Sequence, residues 1–402
     1  MGPRDSVNIP PHARRIDLAG KYVIPGLWDA HVHLMNAGVT ALPVFVAHGV
    51  TSVREMGGYL DSSRTWQAQM RAGTLIGPRL ITPGGMLENP RYLAGVVERS
   101  ARVGGRLAPR ILPHRVGVAD SAAARRAIDS LRRRGVDFVK FRTVASAESF
   151  FAILREAHRA GLQVAGHNPG VVPLMVAADS GLDDIEHALG IFDANVRAAV
   201  GQRFATRRIW YTPTLVVTHA VTVPGDSAQK LIFDSGADAD PSRALASAWL
   251  LGWWRMQVDE RLADTSRTAA AQTQRALSAS REDVRAFAAA GVRMLAGTDA
   301  GSVLVYPGAS LHDELSMLVD AGLTPQQALW SATAGPAQFA RLDSIVGRIA
   351  AGQVADLVVL DANPLRDIRN TRRIHAVVQA GRVHGRAALD SLLASVRAQN
   401  SR

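Results

Sequence analysis

The sequence of 402 residues contains no cysteine and only three lysines, against 46 basic residues in all. The absence of cysteine excludes disulfides and thiolate ligands, so a bound metal must use histidine, carboxylate or lysine-derived oxygen ligands. No apolar stretch approaches the roughly 20 residues of a membrane span. The net charge of +11 comes from scattered arginines without the interleaved aromatic residues of a nucleic-acid-binding surface. We therefore expect binding to neither nucleic acid nor membranes.

Strand-like and helix-like segments alternate along the chain, which predicts a parallel sheet with crossover helices. Eight strand-like segments fit an α/β fold of the closed (β/α)8 TIM-like barrel type, in which catalytic groups lie at the carboxyl ends of the strands. The predicted strands are Tyr22–Leu34, Val50–Glu55, Pro78–Pro83, Phe138–Thr143, Gln163–His167, Asp184–Ala188, Ile209–Val217 and Arg293–Thr298. The predicted helices between them include Ser121–Arg134, Ala147–Ala160, Val171–Ser180 and Arg281–Ala290.

Two long segments interrupt this alternation. Residues 84–120 are too long for an ordinary loop after a strand, and we expect them to form a lid or substrate loop. Residues 218–273 form an insertion after the seventh strand, and we interpret its Trp249, Trp253 and Trp254 as packing residues.

The C-terminal region predicts a helix followed by a small β module. The helix covers Thr324–Gln338, with Thr324 as its N-cap and Pro325 at its first position. The region after it is too short to fold alone, and we expect it to pair with residues 14–18. Its predicted strands are Gly347–Ile349, Ala355–Leu360, Ile374–Gln379 and Arg382–His384.

Side chains that can bind metal lie at the ends of several predicted strands. Because residues two apart on a strand point to the same side, His31 and His33 can face one ion. The ends of four strands carry such groups: His31 and His33 on the first, His167 on the fifth, His187 on the sixth and Asp299 on the eighth. Convergence at one rim of a barrel therefore predicts a metal site.

Lys140 is a lysine in an apolar strand of a chain that uses arginine nearly everywhere else. Burial disfavours a charged amine and lowers its pKa, and a neutral amine can add carbon dioxide to form a carbamate. Arginine cannot lose its proton in this way. A carboxylated Lys140 would supply two oxygens that bridge two metal ions.

These segments together resemble the metal-dependent amidohydrolase superfamily, in the branch of imidazolonepropionase-related enzymes and Xaa-Pro dipeptidase-like peptidases. The resemblance covers nearly the whole chain and rests on Val23–Leu34, Gly135–Phe141, Gly161–Asn168, Gly181–His187, Tyr211–Leu215, Leu295–Ala300, His312–Pro336 and Gly347–Pro364. It implies a barrel over residues 25–342 and a small composite β-sandwich formed by residues 1–24 and 343–402. The N-terminal strands usual in the family are missing here, so the compartment stays open: cytoplasmic as the sequence stands, periplasmic or secreted if a signal was lost with them.

The resemblance implies a site with two divalent metal ions, usually Zn²⁺. His31, His33 and Asp299 would hold one ion, His167 and His187 the other, and carboxylated Lys140 would bridge them. A hydroxide shared by the ions would attack the amide carbonyl, with Asp299 as general base and then acid. Two further groups are candidate substrate contacts: Tyr211 on the seventh strand, for which a structural role is the alternative, and Arg142, two residues after Lys140 on the same face, for which an ion pair within the protein is the alternative. The family's Gly-Gly-His-Gly element after the third strand has no clean match here, and His114 is the histidine that the corresponding loop offers.

The predicted function is hydrolysis of an amide bond in a small molecule, a dipeptide or an N-acyl amino acid. A lactonase, ester hydrolase or cyclic-amide hydrolase on the same scaffold is the alternative, because one such site attacks any activated carbonyl. A mononuclear deaminase would lack the bridging lysine. Self-association into a homo-oligomer is left open.

Overall fold

The computed structural model describes residues 11–13, 15–102, 104–234, 240–263 and 267–401. Its strands are β1 (Tyr22–Pro25), β2 (Leu27–Val32), β3 (Val50–Glu55), β4 (Arg79–Ile81), β5 (Met86–Glu88), β6 (Arg115–Gly117), β7 (Val139–Phe141), β8 (Val164–Gly166), β9 (Asp184–Glu186), β10 (Trp210–Thr212), β11 (Arg293–Met294), β12 (Leu357–Leu360), β13 (Ile374–Gln379) and β14 (Arg382–Gly385). Within the described ranges, no helix combines the length and apolar character needed to cross a membrane.

The helices are α1 (Leu34–Ala37), α2 (Ala41–Ala47), α3 (Leu60–Arg71), α4 (Pro90–Arg102), α5 (Ala108–Ile111), α6 (Ser121–Arg133), α7 (Ala147–Arg159), α8 (Leu174–Asp179), α9 (Ala194–Arg207), α10 (Leu215–Thr222), α11 (Gly225–Phe233), α12 (Ala248–Ala263), α13 (Arg267–Ala289), α14 (Ala309–Asp320), α15 (Pro325–Ser331), α16 (Ala334–Phe339) and α17 (Arg386–Asn400). Short 3₁₀ helices cover Leu112–His114, Pro241–Leu245 and Ile368–Arg372.

Eight parallel strands form a barrel. The strands β2, β3 and β4 pair in one sheet, and β7 to β11 pair in order in another, which β5 and β6 extend beyond β7. Hydrogen bonds close the ring on both sides: the Asp137 amide donates to the Thr82 carbonyl between β7 and β4, and the Ala30 amide donates to the Ala296 carbonyl between β2 and β11. Each of the eight predicted strand segments contains one of these barrel strands.

The first predicted strand is divided between two sheets. Gly26 separates β1 from β2, and β1 pairs antiparallel with β12 in the order β1–β12–β13–β14. The prediction that residues 14–18 supply the N-terminal strand was wrong for residues 15–18, which form no strand, while Arg14 lies outside the described residues. Residues Gly347–Ile349, which the structure describes, also do not form the predicted strand. The composite β-sandwich and the domain boundaries stay predictions.

Three of the predicted helices have clearly different limits in the structure. The helix predicted at Arg281–Ala290 begins much earlier, at Arg267, and ends at Ala289. The helix predicted at Val171–Ser180 begins only at Leu174, after Pro173. The one predicted at Thr324–Gln338 is interrupted after Ser331, although Thr324 caps it as expected, in a reciprocal box with Gln327.

The amino-terminal half of the barrel interior is apolar and closed by α16. Trp28, Phe138 and Trp210 point inward from their strands and form one cluster with Phe339 of α16. The guanidinium carbon of Arg54 lies 4.5 Å from the centroid of the Phe339 ring. This packed layer supports the polar groups above it, at the carboxyl ends of the strands.

Candidate metal centre

His31 and His33 leave β2 on the same side, as the spacing predicts. The ring centroids lie 5.4 Å apart. His31 is fully buried, and its Nδ1 lies 2.7 Å from Glu186 Oε2. Because a donating Nδ1 leaves a lone pair on the other ring nitrogen, this contact turns the Nε2 lone pair of His31 toward the centre of the barrel.

His167 and His187 follow β8 and β9 and face His31. The centroids of the His167 and His187 rings are 4.4 Å apart, and those of His31 and His187 are 4.5 Å apart. The Nδ1 atom of His187 lies 2.8 Å from Thr214 Oγ1. His187 adopts a φ of 70°, in the left-handed region that side chains rarely occupy. Such backbone strain is concentrated at functional sites.

Asp299 comes from the segment after β11 and completes the group. Its Oδ1 lies 3.1 Å from His33 Nε2 and 3.6 Å from His31 Nε2. Its neighbour Thr298 donates a 2.6 Å hydrogen bond to buried Asp29 on β2. A Cβ on Gly297 would lie 2.7 Å from the Cβ of His31, so this close approach of the two chain segments requires glycine.

Lys140 points into the barrel from β7 and is fully buried. Among the described residues its Nζ has no hydrogen-bond partner, and neither does the Nε2 of His31, while the Oδ1 of Asp299 has His33 Nε2 at 3.1 Å. Buried polar atoms are rarely left unpaired in native proteins, and such atoms suggest an absent water or ion. The ligand atoms of His31, His187 and Asp299 all lie within 4.8 Å of one another, which is close enough for one metal ion.

The electrostatic environment suits cation binding. Burial lowers the pKa values of His31, His167 and His187 well below the ordinary range, so these rings are neutral and have a lone pair to donate. Burial also lowers the pKa of Lys140 to about 8. Burial acts to raise the pKa of Asp299, but the hydrogen bond and charge of His33, together with His31 and His187, outweigh it and hold that pKa below its usual value.

A second layer of charged groups lies beneath the histidines and supports them. The sequence did not predict this layer. Arg54 of β3 forms ion pairs with Asp184 at 2.7 Å and Glu186 at 2.8 Å, both on β9. Asp184 and Glu186, two residues apart in an apolar strand, were the one sequence feature that could have indicated it, because a buried charge requires a partner. Glu186 thereby connects Arg54 to His31.

A cavity of about 540 Å³ opens above these groups and is lined by His33, His167, His187 and Asp299. Arg142 and His114 line it too, and their role as substrate contacts stays a prediction. Tyr211 does not: it is fully buried, and its ring packs 5.2 Å from that of Phe287 on α13. Its neighbours Trp210 and Thr212 point into the barrel, so Tyr211 points outward, and we withdraw it as a substrate contact.

Comparison with known proteins gives consistent matches. The model of the Amidohydrolase family matches residues 22–384. The imidazolonepropionase of Streptomyces avermitilis is 25% identical over 368 residues, 89% of this chain and 77% of that protein. The imidazolonepropionase of Streptomyces griseus is 40% identical over 85 residues, and the chain thus matches only 20% of that protein.

Solved structures share the fold over most of the chain. A candidate prolidase from Bifidobacterium longum is 25% identical with a TM-score of 0.71, covering 98% of this chain and 90% of that one. A prolidase in complex with N-methylphosphonate-L-proline is 24% identical with a TM-score of 0.67, covering 95% of this chain and 91% of that one.

Proposed function

Because this chain belongs to the amidohydrolase family, a group of hydrolases that act on carbon–nitrogen bonds, we propose that it cleaves an amide bond in a dipeptide or an N-acyl amino acid. The observation that carries the proposal is the convergence of metal-ligating groups at the carboxyl end of the barrel: His31, His187 and Asp299 place ligand atoms within 4.8 Å of one another, and the buried Lys140 Nζ and His31 Nε2 have no hydrogen-bond partner among the described residues. The match to a prolidase complex with a proline-containing ligand supports the dipeptide class.

The residues present fit two divalent metal ions, and we propose Zn²⁺. His31, His33 and Asp299 would hold one ion, and His167 and His187 the other. Lys140 would join them as a carbamate: its neutral Nζ forms a bond to the carbon of carbon dioxide and releases a proton to water. Burial lowers its pKa to about 8, so a fraction of the amine is neutral near physiological pH, and no described residue hydrogen-bonds its buried Nζ.

Bound divalent ions would lower the pKa of a water molecule and polarise the scissile carbonyl. The chain's own residues then handle the proton. Asp299 is ionised at the start, accepts a proton from the attacking water and gives it to the leaving nitrogen, acting as base and then acid. Glu186 holds the His31 ring in the orientation that this arrangement needs.

Arg142 and His114 are the proposed substrate contacts. Arg142 stacks over Tyr92, with its guanidinium carbon 4.4 Å from the ring centroid. Its buried Nη1 lies 3.8 Å from Glu88 Oε1, and no described residue is within hydrogen-bond distance of it. A guanidinium with free N–H groups recognises a carboxylate well. The α-carboxylate of the substrate would bind there.

The test combines metal analysis with hydrolysis of a panel of dipeptides and N-acyl amino acids. We expect about two ions per chain after reconstitution with zinc and bicarbonate, and loss of at least one ion and of activity in Lys140→Gln. Lys230→Gln, at an exposed lysine of α11, is the matched control.

About one ion per chain in the wild type would favour a deaminase. Preferred hydrolysis of a cyclic amide or lactone would replace the proposed substrate class. A Lys140→Gln variant with wild-type metal content would refute the carbamate.

A further inference from the structure

The cavity above the candidate metal residues contains more positive charge than one substrate carboxylate needs. It is lined by Arg99, Arg110, Arg115 and Arg142, whereas its only described carboxylates are those of Asp299 and Glu260. Buried Glu88 balances the charge of Arg115, because its Oε1 lies 2.8 Å from Arg115 Nη1. The same oxygen lies 3.8 Å from Arg142 Nη1. Asp299 belongs to the metal residues. A net positive charge is therefore left at the mouth of the cavity.

Arg110 is fixed at this mouth by aromatic rings instead of a carboxylate. Its guanidinium carbon lies 3.7 Å from the centroid of the Trp249 ring and 5.3 Å from that of Trp253. It donates a 3.0 Å hydrogen bond to the carbonyl of Trp249. Among the described residues no acidic side chain pairs with it, and its buried Nε has no hydrogen-bond partner. Stacking on aromatic faces leaves the edge of a guanidinium free for an anion.

The platform under Arg110 is itself anchored to the candidate metal site. The indole Nε1 of Trp249 donates a 2.8 Å hydrogen bond to the carbonyl of Met35, two residues after His33. Trp253 packs against Leu107 and Ile111 on the segment that carries Arg110. The position of Arg110 is thus set relative to both His33 and α12, which is what selection of a substrate by length and charge requires.

We propose that Arg110 binds a second anionic group, so that the substrates are acidic: dipeptides or N-acyl amino acids with an aspartate or glutamate side chain. This inference rests on the hydrolase function proposed above. Arg142 takes the α-carboxylate and Arg110 the side-chain carboxylate. Two separate cations on different elements select for a dicarboxylate, because a neutral analogue leaves one of them unpaired.

The experiment compares kcat/KM for N-acetyl-L-glutamate and N-acetyl-L-glutamine, and for Ala-Glu and Ala-Gln, with the zinc-reconstituted enzyme. We expect a preference for the acidic member of each pair of about tenfold or more, since charge-assisted hydrogen bonds are roughly twice as strong as neutral ones. Arg110→Gln should abolish that preference through KM, with kcat and the values for neutral substrates retained. Arg126→Gln, at an exposed arginine on α6, should change neither.

Two results would overturn this inference. One is equal kcat/KM for acidic and neutral substrates in the wild type, and the other is an equal loss for both classes in Arg110→Gln. The second result would mean that Arg110 serves only to join α5 to α12. Arg110→Lys keeps the charge and should retain part of the preference, which covers the case in which the glutamine variant does not fold.

A binding measurement separates failure of this inference from failure of the proposed function. Glutarate, a dicarboxylate that contains no amide, is titrated into the metal-free protein by calorimetry, with butyrate as the monoanionic control. We expect glutarate to bind more tightly than butyrate, and about tenfold more weakly to Arg110→Gln. Glutarate binding without hydrolysis of any substrate would count against the hydrolase alone. Hydrolysis of neutral substrates with no glutarate binding would count against the role of Arg110 alone.

Discussion

At the floor of the cavity the candidate ligands come from strands or strand ends of the barrel, and several are held by side chains of other strands. At its mouth, Arg110 and the tryptophans come from two segments that interrupt the strand–helix alternation, α5 and α12. Floor contacts are buried ion pairs and hydrogen bonds, such as His31 with Glu186. Mouth contacts are stacked rings that are partly exposed to solvent, with Trp249 50% exposed.

The floor and the mouth of the cavity thus differ in how much substitution they tolerate, and this suggests separate roles in the reaction and in substrate selection. Arg54, Asp184 and Glu186 are buried charges that tolerate little change, because removing one partner leaves another unpaired in the protein interior. The contact of Arg110 with Trp249 at the mouth involves no ion pair and a half-exposed ring, so a substitution of Trp249 leaves no buried charge without its partner. We therefore infer that the floor fixes the reaction and the mouth fixes the substrate.

The largest expected effect is at the floor. Asp299→Asn keeps the size of the side chain but removes its ability to accept a proton, so kcat should fall by on the order of 10²–10⁴. Steady-state kinetics on the best substrate of the panel measures this, with Asp343→Asn, at an exposed aspartate far along the chain, as the control. Turnover at the wild-type rate in Asp299→Asn would show that another group moves the proton.

An intermediate effect is expected one layer below. Glu186→Gln weakens the contact that orients His31 and removes one charge next to Arg54. Partners of metal ligands contribute about 10- to 100-fold in metal affinity, so zinc affinity should fall by roughly that factor. Competition with a chromophoric chelator measures the affinity, and circular dichroism verifies the fold. Unchanged affinity would mean that barrel packing alone orients the His31 ring.

The shared position of the candidate ligands at the floor could be predicted from the sequence, because parallel strands place their ends at one rim. His31, His33, His167, His187 and Asp299 each end or follow a strand-like run, and the structure brings them to that rim. Their supporting partners could not be predicted. Arg54 meets Glu186 across the barrel interior, and that contact depends on strand stagger, which no local pattern records.

Tyr211 shows a second limit. On a strand, a shift of one residue exchanges the inward and outward faces, and β10 is only three residues long. Its inward-facing residues are Trp210 and Thr212, which are no more polar than Tyr211. The residue types therefore did not indicate which of the two sets faces the barrel interior. The contacts at the mouth could not be predicted either. The pairing of Arg110 with Trp249 joins two residues 139 positions apart in the sequence, and no local pattern indicates it.

The smallest expected effect contrasts two tryptophans of α12. Trp254 is fully buried, packs on Tyr306 and donates a 3.1 Å hydrogen bond to the Gly301 carbonyl. It is a packing residue, as predicted for all three tryptophans of the insertion, whereas Trp249 is 50% exposed and does not fit that prediction. Trp254→Phe should lower the free energy of unfolding by about 1–2 kcal/mol, through a lost buried hydrogen bond and lost contacts. Trp249→Phe removes a partly exposed contact and should change it by about 0.5 kcal/mol or less. Urea denaturation of the two variants measures the difference. Equal destabilisation would mean that the mouth is as much a part of the folded core as the floor, and the division between reaction and substrate would then have no basis in the packing.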